Sequence, residues 1–329
     1  MKSTIENFLD HCKSLKVMII GDLMVDRYLW GKVSRISPEA PVPIVDVYRE
    51  ENRLGGAANV ALNASALGAI PLLGGLVGED RDGATLRRLA KELNFNPELI
   101  TPSNKRRTTV KVRIIGNNQQ VLRVDREDNF PAGPEEIQEL LEAVLGKLSQ
   151  ADLVIMEDYD KGVFSPFFIQ SVVHRAVELR IPICVDPKFR HFTAFSGVTL
   201  FKPNLKELNE GMKVNLEKTD HEGIRKAVLA LRKQMPHKWS LITLSEEGML
   251  WVDEQGGMRH FPAHYRDIVD VSGAGDTVIT VISLALAAGL SPEVATMLAN
   301  LAGGLVCEEV GVVPIDPNRL LREGSELRI

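Results

Sequence analysis

Lys16 to Gly21 (KVMIIG) is an apolar run of strand length that closes on glycine, the pattern of a strand buried on both faces of a parallel sheet. Similar short runs recur at Leu153 to Met156, Ile181 to Val185, Thr199 to Phe201 and Leu241 to Leu244. Helical periodicity fills Ser165 to Leu179 and His221 to Gln234 between them. Strands alternating with helices predict right-handed βαβ units, a mostly parallel sheet, and ligands at the carboxyl ends of its strands. Two segments, 30–49 and 107–125, break that rhythm with β-branched alternation and no helix between their strands. Within them Val42 to Val47 and Thr109 to Ile115 read as antiparallel strands, and Pro41 and Pro43 confine the first to an edge. Such an insertion reads either as a lid that keeps water from a reactive phosphate or as a surface hairpin. The expected organisation is one domain over 1–329 carrying these insertions, since no fixed-period repeat or low-complexity tract divides the chain.

The bulk composition narrows the function classes. At 329 residues, 44% of them hydrophobic and 25% charged, the chain can bury a sizeable core and has ordinary globular composition. A net charge of -5 offers no basic field, which argues against nucleic acid as the main partner and requires any bound anion to be held locally. Cys12, Cys184 and Cys307 are far apart and form no CxxC pair, so a reducing cytoplasm is expected rather than a disulfide framework or a zinc knuckle. Asp10, His11, Lys13 and Lys16 interrupt the amino terminus where a signal peptide needs an apolar core. Val278 to Leu290 is too short to span a bilayer, so no membrane association is expected.

Candidate chemistry concentrates in Asp270-Val-Ser-Gly-Ala-Gly-Asp276, followed at once by the apolar helical pattern Thr277 to Ala288. Glycines at that turn let backbone amides converge, and the helix adds the positive end of its dipole, which together make an anion hole. A carboxylate at the same turn is placed to act as a base in phosphoryl transfer to an alcohol; the alternative is an Asp that only caps the helix. Gly55-Gly-Ala-Ala-Asn59 opens another helical stretch running to about Leu67. Gly55 and Gly56 permit close backbone approach to a ligand, and Asn59 offers a donor and an acceptor for hydroxyls; close helix packing would also use small residues. Asp22 and Asp26 follow the first strand, where paired acids either chelate hydroxyls or a metal or are simply solvated.

The early G-G-x-x-N element and the late D-x-x-G-A-G-D element together resemble the two signature regions of the ribokinase (PfkB) carbohydrate kinase family, and the resemblance covers nearly the whole chain. It implies an α/β, ribokinase-like fold with a central mostly parallel sheet flanked by helices and a small β-sheet lid over the sugar. It implies Asp276 as the base that takes the proton of the sugar hydroxyl attacking the γ-phosphate of ATP. Gly273, Ala274 and Gly275 map to the anion hole, and Asn59 and Asp26 to sugar-binding positions, beside which Asp22, Gly55 and Gly56 are expected. Asn204-Leu-Lys-Glu207 resembles the N-x-x-E element that organises magnesium and phosphates. Thr243-Leu-Ser-Glu-Glu-Gly248 resembles the strand-to-turn that lines the nucleotide, through Thr243, Ser245 and Gly248, and Asn300 falls where the family closes the adenine pocket. Ser272 stands where Thr is common and keeps the hydroxyl. The implied cofactors are ATP and Mg²⁺, the ion bound mainly through nucleotide phosphates and water, and the implied assembly is a homodimer formed through the lid.

Four further stretches are similar to the D-glycero-β-D-manno-heptose-7-phosphate kinases of that family. They are Tyr28 to Pro43, Asn118 to Arg123, Asp158 to Gly162 and Asp186 to Lys188. The resemblance implies phosphorylation of an anomeric C1 hydroxyl on the route to ADP-heptose for lipopolysaccharide core. Hexose, hexose-phosphate and ketodeoxygluconate kinases remain alternatives within the class. A sugar phosphate needs cationic donors, for which Lys111, Arg113, Lys161 and Lys188 are candidates; Lys161 and Lys188 are expected to face the pocket. Lys111 and Arg113, at alternate strand positions, also suit a solvated face. A nicotinamide dehydrogenase would carry G-x-G-x-x-G after the first strand, where this chain has Gly21-Asp-Leu-Met-Val-Asp26. No adenylyltransferase H-x-G-H element is present, so a kinase without that second activity is expected.

Overall fold

The computed structural model describes residues 1–327 except 118, so the first position of the Asn118 to Arg123 stretch lies outside the described residues. Helix α1 (Lys2–Cys12) precedes β1 (Lys16–Gly21); β2 (Leu23–Ile36) and β3 (Pro43–Gly56) then form a long hairpin that runs into α2 (Ala57–Ala66). Next come β4 (Ile70–Gly78), α3 (Arg81–Glu92), β5 (Ile100–Ser103), a second hairpin of β6 (Thr109–Gly116) and β7 (Gln119–Arg126), and α4 (Pro134–Leu148). The chain continues through β8 (Leu153–Glu157), α5 (Pro166–Glu178), β9 (Ile183–Asp186), β10 (Leu200–Phe201), α6 (Leu205–Met212) and α7 (His221–Gln234). It closes with β11 (Trp239–Thr243), β12 (Met249–Val252), β13 (Met258–Phe261), α8 (Ala274–Ala287), α9 (Pro292–Val306) and α10 (Pro317–Gly324).

The apolar run of β1 is explained by what lies on each side of it. Val17 and Ile19 point into one core with residues of α1, α2, α8, α9 and α10, such as Phe8, Ala61, Ile279, Leu298 and Leu320. Met18 and Ile20 point into a second core with α4, α5, α6 and α7, including Leu140, Phe168, Leu208 and Val228. A strand covered on both faces cannot alternate apolar with polar positions. The main sheet has nine strands in the order β13-β12-β11-β10-β9-β8-β1-β4-β5. Every pairing from β11 through β5 is parallel, while β12 and β13 form an antiparallel edge. This is the mostly parallel sheet flanked by helices that the alternation of strands and helices predicts.

A second sheet, β3-β2-β6-β7, stands off the carboxyl end of β1. Its hairpins pair antiparallel and its central strands β2 and β6 pair parallel. The sheet is larger than the segments 30–49 and 107–125: β2 begins at Leu23 and β3 runs to Gly56. Leu23, Met24 and Val25 are all buried where this sheet meets the body, which hides the alternation that would mark a strand. Pro43 is the first residue of β3, which is an edge strand, as a proline without an amide donor requires.

Candidate active site

Helix α8 starts at Ala274, three residues before the apolar pattern alone suggested, so Gly275 and Asp276 lie in its first turn. Gly273 is its N-cap with φ 81°, a left-handed conformation open to glycine, and a Cβ there would come within 2.9 Å of Asn59 Nδ2. The amides of a first helical turn have no intrahelical acceptors, so this turn presents donors and the positive end of the dipole. Asp276 is buried in the same turn. Asn59 Nδ2 donates to its Oδ2 at 2.7 Å, and the Tyr159 hydroxyl donates to its Oδ1 at 2.6 Å. Burial pushes the Asp276 carboxyl up to about 6, against the lowering effect of those two hydrogen bonds, and Asp186 and Asp26 push it the same way as burial. A carboxylate poised near neutrality is suited to taking up a proton.

On one side of Asp276 opens a cleft of about 1390 Å³. It is lined by Gly273, Ala274, Gly275 and Asp276, and by Asn204, Thr243, Ser245, Gly248 and Asn300, the positions for which the family resemblance implies nucleotide contacts. Asn204 is the N-cap of α6: its side chain accepts the Glu207 amide at 2.9 Å, and Glu207 Oε2 accepts the Asn204 amide at 2.8 Å. Glu207 also binds the Lys188 ammonium. Lys188 lines this same cleft. Burial acts to lower its pKa, but the carboxylates of Asp186 and Glu207 outweigh it and raise the value. Beside it the buried Lys202 meets Asp186 at 2.6 Å.

The other side of Asp276 faces the second sheet. The β2–β6 register sets Asp26 beside Lys111 and Tyr28 beside Arg113. Arg113 and Asp26 form a buried ion pair, so these strand positions are not a solvated face. Gly55 leaves room for the Asp26 carboxylate, since a Cβ there would fall 2.1 Å from Oδ2; Gly56, at φ 60°, turns the chain into α2. Asp22 is buried and not solvated; its carboxylate accepts the amides of Tyr159 at 2.8 Å, Lys161 at 3.1 Å and Val163 at 3.3 Å. Those bonds fix the loop between β8 and α5. The Lys161 ammonium turns away to Glu127 at 2.8 Å and Asn129 at 2.9 Å. Lys111 differs from the other three cations: its ammonium lies 4.9 Å from the centre of the Tyr159 ring, with no carboxylate within salt-bridge distance among the described residues. Burial lowers its pKa, with nearby Asp26 acting to raise it.

A family model described as "pfkB family carbohydrate kinase" matches residues 14–319. The chain belongs to this family. As a pfkB carbohydrate kinase it is 38% identical over 319 residues to "Bifunctional protein HldE" of Citrifermentans bemidjiense, covering 97% of this chain and 65% of the relative. It is 44% identical over 298 residues to the protein of the same name from Caulobacter vibrioides, covering 90% of this chain and 60% of the relative. The chain thus spans somewhat less than two thirds of the length of these relatives. Among solved structures, phosphofructokinase-2 from Escherichia coli in its tetrameric inhibited form superposes with a TM-score of 0.78 at 20% identity, covering 95% of this chain and 100% of that one. Ribokinase of Arabidopsis thaliana, complexed with ribose and ATP, superposes with a TM-score of 0.71 at 17% identity, covering 94% and 99%.

Four residues of the candidate site were given no role by sequence reasoning, although Tyr159 and Asp186 lie in stretches that carry the resemblance: Glu157, Tyr159, Asp186 and Lys202. All end or follow strands of the main sheet, at the edge where an α/β fold binds ligands. That rule, applied to every strand, would have flagged them. Glu157 is buried with one carboxylate oxygen lacking a hydrogen-bond partner, and burial raises its pKa well above the ordinary range.

Proposed function

We propose that this carbohydrate kinase transfers the γ-phosphoryl group of ATP to the C1 hydroxyl of D-glycero-β-D-manno-heptose 7-phosphate, giving the 1,7-bisphosphate for ADP-heptose synthesis. The carrying observation is the buried Asp276 carboxylate in the first turn of α8, between a long cleft and the second sheet. In this reading the nucleotide lies in the cleft with its phosphates toward the α8 amides. The sugar lies under the second sheet, which acts as its lid. Asp276 takes the hydroxyl proton as the oxygen attacks phosphorus, and the amides of Gly275 and Asp276 meet the charge that develops on the transferring group. Asn59 orients the base.

Mg²⁺ fits this site as an ion carried on the nucleotide. Both Glu207 oxygens already have partners, the Asn204 amide and Lys188, so Asn204 and Glu207 would reach the ion through water. When bound, it neutralises phosphate charge. The heptose assignment is supported by the 36–44% identity to HldE proteins, and the 7-phosphate is assigned to Lys111, the candidate cation without a carboxylate partner. Exposed Leu122 and Val124 on β7, beside Ile114 and Val112 of β6, give the second sheet an apolar outer face suited to a second copy of the chain. Three free, buried cysteines suit the cytoplasm, and no helix among the described residues is long and apolar enough to cross a membrane.

The test is a substrate panel with ADP release coupled to an optical readout. The heptose 7-phosphate should give the highest kcat/KM, with product phosphate on the anomeric carbon by ³¹P NMR. A hexose, hexose phosphate or ketodeoxygluconate that is phosphorylated more efficiently would replace the assignment.

A further inference from the structure

The two oxygens of Asp276 are held in different ways. Oδ2 is fixed by Asn59, a fully buried residue of α2 whose own carbonyl and side-chain oxygens accept from Asn63 Nδ2 at 2.9 and 3.3 Å. That donor has nowhere to go. Oδ1 is held by Tyr159, which is only partly buried, lines the cleft, and belongs to the loop between β8 and α5. The Tyr159 backbone is pinned by its amide bond to Asp22, so its freedom lies in the side chain.

We propose that Tyr159 is a positioning residue for the base: in the sugar-free enzyme its hydroxyl occupies Oδ1, the oxygen that accepts the sugar's proton, and it yields that place when the sugar hydroxyl arrives. This rests on the reading of Asp276 as the base. The ring stands between the two halves of the site, with Lys111 from the second sheet 4.9 Å and Lys188 from the nucleotide side 5.4 Å from its centre. Burial, and then the neighbouring Asp276 carboxylate, raise the phenol well above its ordinary range, so it stays protonated and keeps its proton to donate to the carboxylate. A buried carboxylate with one donor fixed and one exchangeable keeps a single oxygen available to substrate. Without the second donor, Oδ1 would be buried and unsatisfied between turnovers, and the carboxyl would favour its protonated form.

The groups facing Asp276 are Tyr159 from the loop, Asn59 from α2, Asp26 from β2, Lys111 from β6, Glu157 from β8 and Asp186 from β9. Removing the phenolic hydroxyl deletes one of the two hydrogen bonds that lower the carboxyl, while the acidic neighbours that raise it remain. The base must be ionised to work, so activity rises with pH through its pKa, and Tyr159→Phe moves that rise to higher pH.

The experiment is the pH profile of kcat/KM for the sugar at saturating MgATP, for wild type, Tyr159→Phe and Asp276→Asn. Each profile is normalised to its own plateau, so a general loss of activity does not mimic the shift. The acidic limb of Tyr159→Phe should move up by about half a pH unit or more, with the sugar KM not raised. An unmoved limb with an inactive Asp276→Asn overturns the Tyr159 assignment and leaves the base in place. Wild-type turnover by Asp276→Asn overturns the base, and the Tyr159 role with it.

Discussion

The two sides of Asp276 are built on opposite principles. On one side lies an open cleft in which Gly273, Ala274 and the N-terminus of α8 present backbone groups, beside the ion pairs Lys188–Glu207 and Lys202–Asp186. Such a surface is formed before any ligand arrives. Toward the second sheet, buried groups hold one another: Arg113 binds Asp26 and Asp22 binds three loop amides, while Tyr159, between the two sides, binds Asp276. A helix N-terminus offers free donors to any anionic ligand, whereas the sugar in the proposed reading has to take the place of partners already present. In that reading discrimination follows, because a sugar lacking a hydroxyl or a phosphate cannot replace the bonds it displaces.

The largest effect that would break this comparison comes from its tightest pair. Arg113→Met leaves Asp26 buried and alone, which should destabilise the fold by about 3–5 kcal/mol. Urea denaturation reads this directly, and a loss within experimental error of zero would show that the second-sheet side is solvated. Lys111→Met should lower kcat/KM for the phosphorylated sugar about 10- to 100-fold, since a charge-assisted hydrogen bond contributes roughly 1.5–3 kcal/mol. The same change should leave the unphosphorylated sugar nearly unaffected, while Lys161→Met shows no such difference between the two. Equal losses on both sugars would remove Lys111 from phosphate recognition. Asn204→Ala removes the α6 cap and should destabilise by about 0.5–2 kcal/mol. It should also raise the magnesium needed for half-maximal activity more than it raises the sugar KM; an unchanged magnesium titration would reduce Asn204 to a structural cap.

The layers of the fold were legible because each rests on local pattern. β1 matches its apolar run residue for residue, and α7 spans His221 to Gln234 as its periodicity indicates. The start of β2 was hidden because Leu23 to Tyr28 lies under the sheet junction, where both faces are covered. The stretch Asp270 to Asp276 reads as turn, yet its last three residues, Ala274, Gly275 and Asp276, are helical, because tertiary packing of α8 against α2 and α9 carries the helix back over the weak formers Gly275 and Asp276. In the candidate site, the residue types and the strand ends were readable. Their partners were not: Lys188 joins Glu207 from 19 positions away, and Asn59 meets Asp276 across 217. Such pairings depend on how strands are ordered in the sheet, which no local spacing encodes. Lys161 and Lys188 were therefore expected to face a sugar phosphate, and the structure gives their ammonium groups to Glu127 and Glu207 instead.

The central claim is that Asp276 is the base. Its most direct test is a comparison of Asp276→Asn with wild type in two measurements on the same protein: calorimetric binding of a non-hydrolysable ATP analogue, and steady-state turnover with saturating MgATP and sugar. Nucleotide affinity should stay close to wild type while turnover falls by roughly 10²- to 10⁴-fold, the contribution of a positioned base. Turnover within a few-fold of wild type, with nucleotide binding intact, would contradict it.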